Sequence, residues 1–185
     1  MSVDPNFNKF TYEHYVLIPN DGKRHEIIDG DHYVNPVPNL YHQTVSQRIQ
    51  TQLVLQISHK KLGWVYAAPV DVQLTKFDVV QPDLVVVLND RKPILTKQKI
   101  DGVPSLIMEI LSPGNASHDR ELKKQLYQRA GVPEYWIVDP DEKTIEQYVL
   151  EESRYVSRAV TSTRISLSVL PEVLINSEGL WDFDY

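Results

Sequence analysis

The run Leu106-Ile107-Met108-Glu109-Ile110-Leu111 sets the terms on which this chain can fold, because it places one carboxylate among aliphatic and thioether side chains. It is far shorter than the ~20 residues of a membrane-spanning helix. An apolar run of this length reads instead as a strand buried on both faces. Alternation puts Ile107, Glu109 and Leu111 on one face and Leu106, Met108 and Ile110 on the other. An ionised Glu109 there costs on the order of several kcal/mol unless a metal, a base or a hydrogen-bond network receives it.

A second buried strand, Leu84-Val85-Val86-Val87-Leu88, opens on Pro82-Asp83. Two acids at neighbouring strand ends, Asp83 and Glu109, can hold one divalent cation. Hard cations such as Mg2+ take oxygen ligands and keep several waters for a substrate phosphate. After a Ser112-Pro113-Gly114-Asn115 turn, a helix carries Asp119, Lys123 and Tyr127 at four-residue intervals. Leu122, Leu126 and Ala130 form its buried stripe, with Lys123 at the edge, within reach of a strand end. From position alone Lys123 also reads as a solvated lysine paired with Asp119, and Lys124 replaces it if the helix is rotated by one residue. Gly131 ends the helix, and Glu134-Tyr135-Trp136-Ile137-Val138-Asp139 follows as a strand parallel to that of Glu109.

Upstream, 1–10 reads as a loose arm. Thr11 caps a short helix over 12–17, stopped before Pro19. Arg24-His25-Glu26-Ile27-Ile28 and Asp31-His32-Tyr33-Val34 flank Asp29-Gly30, a strong hairpin signal. Glu26 lies on the first of these strands and reads equally as a surface acid. Apolar residues at helical spacing predict a helix over 40–62, with Gly63 as its stop. His42, one turn before Val45 and Ser46, can face inward or merely pack. The stretch 64–74 reads as a strand or as two segments bent at Pro69, 79–88 as one strand leading through Asp83, and 94–103 as a connector. Two alternating strands, 144–150 and 154–160, suit a sheet with one wet face. The tail 165–181 carries enough apolar surface to pack on the body or on a second subunit.

Asp83, then Glu109-Ile110-Leu111-Ser112-Pro113, then Asp119-x-x-x-Lys123-x-x-x-Tyr127, then Ala130-Gly131-Val132-Pro133-Glu134-Tyr135-Trp136-Ile137-Val138-Asp139 form an ordered series. With Glu26-Ile27-Ile28-Asp29-Gly30 and His42-Gln43, it resembles the Uma2 (DUF820) family, a bacterial branch, abundant in cyanobacteria, of the PD-(D/E)XK nuclease superfamily. The common motif has a lysine two residues after the second acid, where this chain has Leu111. Uma2-like sequences carry it on the following helix, and Lys123 occupies that place.

The resemblance implies an α/β (α+β) fold of the restriction-endonuclease-like kind, with a mixed central sheet flanked by helices. It implies Asp83 and Glu109 as ligands of Mg2+ or Mn2+, with Glu26 as a further ligand. Lys123 would stabilise phosphate charge or help deprotonate water, and His42 would assist. The implied reaction is metal-dependent phosphodiester hydrolysis, with DNA as partner and a homodimer as the working form.

At 185 residues the chain suits one domain over 1–185, and 42% hydrophobic against 24% charged residues describe an ordinary soluble globule. No apolar run is long enough for a membrane span, and Met1-Ser2-Val3-Asp4-Pro5 lacks a basic-then-apolar leader pattern, so a cytoplasmic location is expected. Zero cysteines exclude disulfides, thiolate zinc sites and a cysteine nucleophile. A net charge of -6 weighs against nucleic-acid binding, which draws affinity from neutralised phosphates. Local basic patches at Lys60-Lys61, at Arg91-Lys92 with Lys97 and Lys99, and at Arg120 with Lys123-Lys124 weigh the other way. No Gly-rich phosphate loop, His-Glu-x-x-His helix or Gly-x-Ser-x-Gly elbow occurs. The competing reading is a non-catalytic binding module that keeps a vestigial acidic site.

Overall fold

The structure, a computed structural model, describes residues 9–112 and 118–182, with only the backbone of residues 118 and 119. Most of the 1–10 arm, the Pro113-Gly114-Asn115 turn and the Asp119 side chain lie outside the described residues.

A short helix α1 (Tyr12–Tyr15) precedes the hairpin β1 (Arg24–Ile28) and β2 (Asp31–Asn35). Helix α2 (Leu40–Leu53) runs into a π-helical turn, Val54–Ser58, and then come β3 (Gly63–Ala67), β4 (Val72–Thr75), β5 (Asp78–Val80) and β6 (Leu84–Leu88). A 3-10 turn over Asn89–Ile94, β7 (Ile100–Asp101) and β8 (Leu106–Ile110) follow. A π-helical segment, His118–Lys123, leads into α3 (Lys124–Ala130) and β9 (Glu134–Asp139). The chain ends in β10 (Thr144–Glu151), β11 (Arg154–Thr161), β12 (Arg164–Ser166) and β13 (Leu174–Asn176).

The mixed sheet orders its strands β11-β10-β9-β8-β6-β3, with β8 and β9 parallel and the other pairs antiparallel. A second sheet, β2-β1-β5-β4-β7, joins the expected central one. The alternation of buried strands builds both cores. Leu84, Val86, Leu106, Met108 and Ile110 face α2 and the C-terminal tail, whereas Val85, Val87, Ile107 and Leu111 face the second sheet and α3. Ile165, Leu167, Val173, Ile175 and Leu180 of the tail are buried against this body.

Local signals act where the physics requires them. Asp29 and Gly30 both take positive φ, at 52° and 79°, as a tight hairpin turn demands. Asn39 caps α2 by accepting the His42 N–H at 2.8 Å. Gly131 ends α3 at φ 82°.

Two expectations change. Gly63 does not stop the helix: Lys61 takes the left-handed position at φ 59°, and Gly63 opens β3. A Cβ on Gly63 would come within 2.5 Å of the Val87 carbonyl oxygen, so the glycine is there for strand contact. Nor is 79–88 one strand. Pro82 has no N–H for a ladder, and Gln81-Pro82-Asp83 carries the chain out of β5 in one sheet and into β6 in the other.

Candidate active site

The five residues singled out by sequence converge where the two sheets meet. Asp83 stands at the entry to β6, and β6 pairs with β8 in the register Leu84↔Met108, which brings Glu109 alongside. The backbone N–H of Ile110 donates to Asp83 Oδ2 at 2.9 Å. His42, delivered by the first turn of α2, places Nε2 2.9 Å from the same oxygen. Arg24 of β1 donates to Asp83 Oδ1 at 2.7 Å. Burial opposes ionisation of Asp83, but the hydrogen bond and charge of His42 and then Arg24 outweigh it and hold the carboxyl below its ordinary range.

Lys123 is the second centre. Its ammonium stands 3.0 Å from Glu109 Oε1 and 3.1 Å from Glu26 Oε1, with the side chain only 4% exposed. Tyr127 donates to the same Glu109 oxygen at 2.6 Å. Burial first, then the Glu109 and Glu26 charges, hold the Tyr127 phenol well above its ordinary range, so it stays a donor. Glu26 also accepts from the Gln81 N–H at 2.8 Å and from Asn35 at 2.5 Å. A lysine and three carboxylates in such a setting survive burial because each is paired and hydrogen-bonded.

The structure buries Lys123 and Tyr127 more deeply than Leu122 and Ala130, so these two residues, expected at the stripe's edge, share the inner face of the helix with Leu126. The π-helical segment before α3 closes i→i+5 bonds and shifts the side chains off simple 3.6-residue spacing. Lys124 points elsewhere, its ammonium 3.6 Å from the centre of the Tyr148 ring. The expected basic patch at Arg120 with Lys123-Lys124 dissolves, because Lys123 is interior and Arg120 pairs with Asp139 at 2.8 Å and with Glu146.

Two cavities adjoin these groups. One of about 20 Å3 is lined by Asp83, Glu109, His42, Arg24, Lys123, Pro36 and Pro38, among others. That is room for one water-sized body. The other, about 390 Å3, opens beside Asp83 along α2. Glu26 does not line the small cavity. Among the described residues no group of three or more His, Asp or Glu side chains is disposed to hold a metal ion. Nδ1 of His42 is buried without a hydrogen-bond partner among the described residues.

Sequence reasoning missed Arg24, Asn35 and Gln81. Strand alternation puts Arg24 on the same face as Glu26, and that was the available signal. The Asn35 contact crosses the β1–β2 hairpin, whereas the Gln81 contact depends on the pairing of strands distant in sequence.

The model of the Uma2 family, described as "Putative restriction endonuclease", matches residues 12–177. The chain belongs to the Uma2 family. A crystal structure described as "a putative nuclease belonging to DUF820", from Anabaena variabilis ATCC 29413, superposes with a TM-score of 0.76. It is 18% identical, over 93% of this chain and 97% of that one, and so shows the Uma2 fold to be shared. No curated protein matches the chain. Among the described residues no helix is long and apolar enough to cross a membrane.

Proposed function

We propose that this chain is a nuclease that hydrolyses phosphodiester bonds of DNA with Mg2+ or Mn2+. The observation that carries the reading is the small polar cavity between Asp83 and Glu109, with Lys123 on Glu109 and Arg24 on Asp83. Cytoplasmic action as a homodimer is part of the same proposal, on the analogy of nucleases that cut both strands in pairs.

The residues fit such a cation. Their donors are hard carboxylate oxygens, Mg2+ is held through one or two carboxylates with waters completing its shell, and the adjoining cleft of about 390 Å3, which shares Asp83, gives those waters room. Asp83 and Glu109 would hold it, with Glu26 reaching it only through water. A bound divalent cation supplies neutralisation of the charge that builds on the phosphate oxygens.

The chain's own groups then divide the work. Arg24 gives up Asp83 Oδ1 and turns its guanidinium to a phosphate oxygen, a contact suited to its planar fork. Lys123, held between Glu26 and Glu109, presents a fixed positive charge to the developing charge on phosphorus-bound oxygen. His42 holds Asp83 Oδ2 through Nε2 and so positions that carboxylate. One P–O bond forms to the attacking water, which gives its proton to solvent, and one breaks to the leaving sugar oxygen, which takes up a proton from solvent. Tyr127 steadies Glu109 and takes no part in bond making.

A non-catalytic binding module is the second reading. It is favoured by the pairing of all three acids with Arg24, His42 or Lys123. Calorimetric titration with Mg2+ and Mn2+, on wild type and Glu109→Gln, with and without a DNA duplex, separates the two. Binding by wild type that vanishes in the variant supports the nuclease. Silence with DNA present as well as without it supports the module.

A further inference from the structure

We propose that Val37 and Leu40 form an apolar wedge that takes the place of a base in the DNA stack, while the cleft beside Asp83 receives the displaced nucleotide. The inference rests on the nuclease reading above.

The wedge stands on the link between β2 and α2, Asn35-Pro36-Val37-Pro38-Asn39-Leu40. Val37 is 74% exposed and Leu40 66% exposed, two apolar side chains three residues apart on this link. The link itself is braced at both ends. Asn35 donates to Glu26 Oε2 at 2.5 Å, and Asn39 accepts the His42 N–H at 2.8 Å. Pro36 and Pro38 fix φ on either side of Val37. Little ordering entropy remains to be lost when this tip meets a partner.

Position names the partner. Pro36 and Pro38 line the small cavity with Asp83 and Glu109, and Leu40 lines the larger cleft with Arg24, Gln43 and Gln47. A phosphate at the acids therefore brings its own base to this rim. No Asp, Glu, Lys or Arg occurs from Asn35 to Gln47, so this segment offers a base uncharged contacts while Arg24 in the same lining is left for the phosphate. The cleft, about 390 Å3, is of small-ligand size and holds a single nucleotide, not a duplex. Its glutamine amides can hydrogen-bond base edges. Apolar side chains inserted at a base step unstack it, and an extruded base is read by hydrogen bonds in a pocket.

The test is binding to a short DNA duplex carrying 2-aminopurine, with Ca2+ in place of Mg2+, by wild type and by Val37→Ser/Leu40→Ser. Both substituted side chains are exposed, so the variant keeps the fold and its thermal unfolding. Wild type is expected to bind with a rise in 2-aminopurine fluorescence, and the variant to bind about tenfold more weakly without that rise. Wild-type binding with no rise, or equal affinity and signal in the variant, overturns the wedge and leaves the nuclease reading in place. Failure of wild type to bind DNA at all overturns both.

Discussion

The Ile110 N–H donates to Asp83 Oδ2 at 2.9 Å, so the residue that follows one candidate acid holds the carboxylate of the other. A backbone-to-side-chain bond beside the β6–β8 ladder thus helps to set the spacing of Asp83 and Glu109. Asp83→Asn keeps the shape and an acceptor for Ile110 but removes the charge. It is expected to fold and to lose at least about a hundredfold in Mg2+-dependent DNA cleavage. Cleavage assays beside urea denaturation check this. A variant more stable than wild type, with no activity to lose, would mark the acids as a buried cluster only.

Lys123→Met leaves Glu26 and Glu109 interior without their shared cation. Removing one partner of a buried pair typically costs about 3–5 kcal/mol. Urea unfolding of Lys123→Met, Glu26→Gln and the double variant measures the coupling. The double variant should recover part of the loss, and strict additivity of the two losses would deny the pairing.

The Asp83 carboxyl is held at about 2 against an ordinary 3.8. Burial alone would raise it, but His42 and then Arg24 prevail. The unfolded chain therefore takes up this proton first as the solution is acidified. The stability Asp83 contributes is complete above its ordinary value and is lost as pH falls from 3.8 towards about 2. The gap in thermal midpoint between wild type and Asp83→Asn should narrow across that interval. A gap that stays constant there contradicts the assignment.

Gly63→Ala drives a methyl against the Val87 carbonyl oxygen, 2.5 Å from the ideal Cβ position. Backbone cannot yield as a side-chain tip can, so a loss of about 1–3 kcal/mol is expected in denaturant unfolding. No measurable change would show that β3 and β6 separate there at little cost.

Much of the fold could be read from the chain because neighbouring residues carried it. The buried acid of β8, its alternating faces, the Asp29-Gly30 turn and the parallel return of β9 were all legible as local patterns. The second sheet was not, since β4, β5 and β7 are too short to show a period. The exchange between sheets at Gln81-Pro82-Asp83 was hidden because Val79, Val80 and the valines of β6 look alike on either side. At the site, Asp83, Glu109 and Lys123 stood out from the chain itself and Glu26 and His42 from the family resemblance, and the structure brings them together. Arg24 went unnoticed because its partner Asp83 lies far along the chain, at the entry to a strand of the other sheet.

That exchange point has a mechanical consequence. Gln81 grips Glu26 through its N–H, and two residues later Asp83 grips His42 and Arg24. Fully extended, the chain between those grips spans no more than ~7 Å. The two halves of the site are thus tethered covalently across the seam, and shear between the sheets cannot pull them apart beyond the length of that tether.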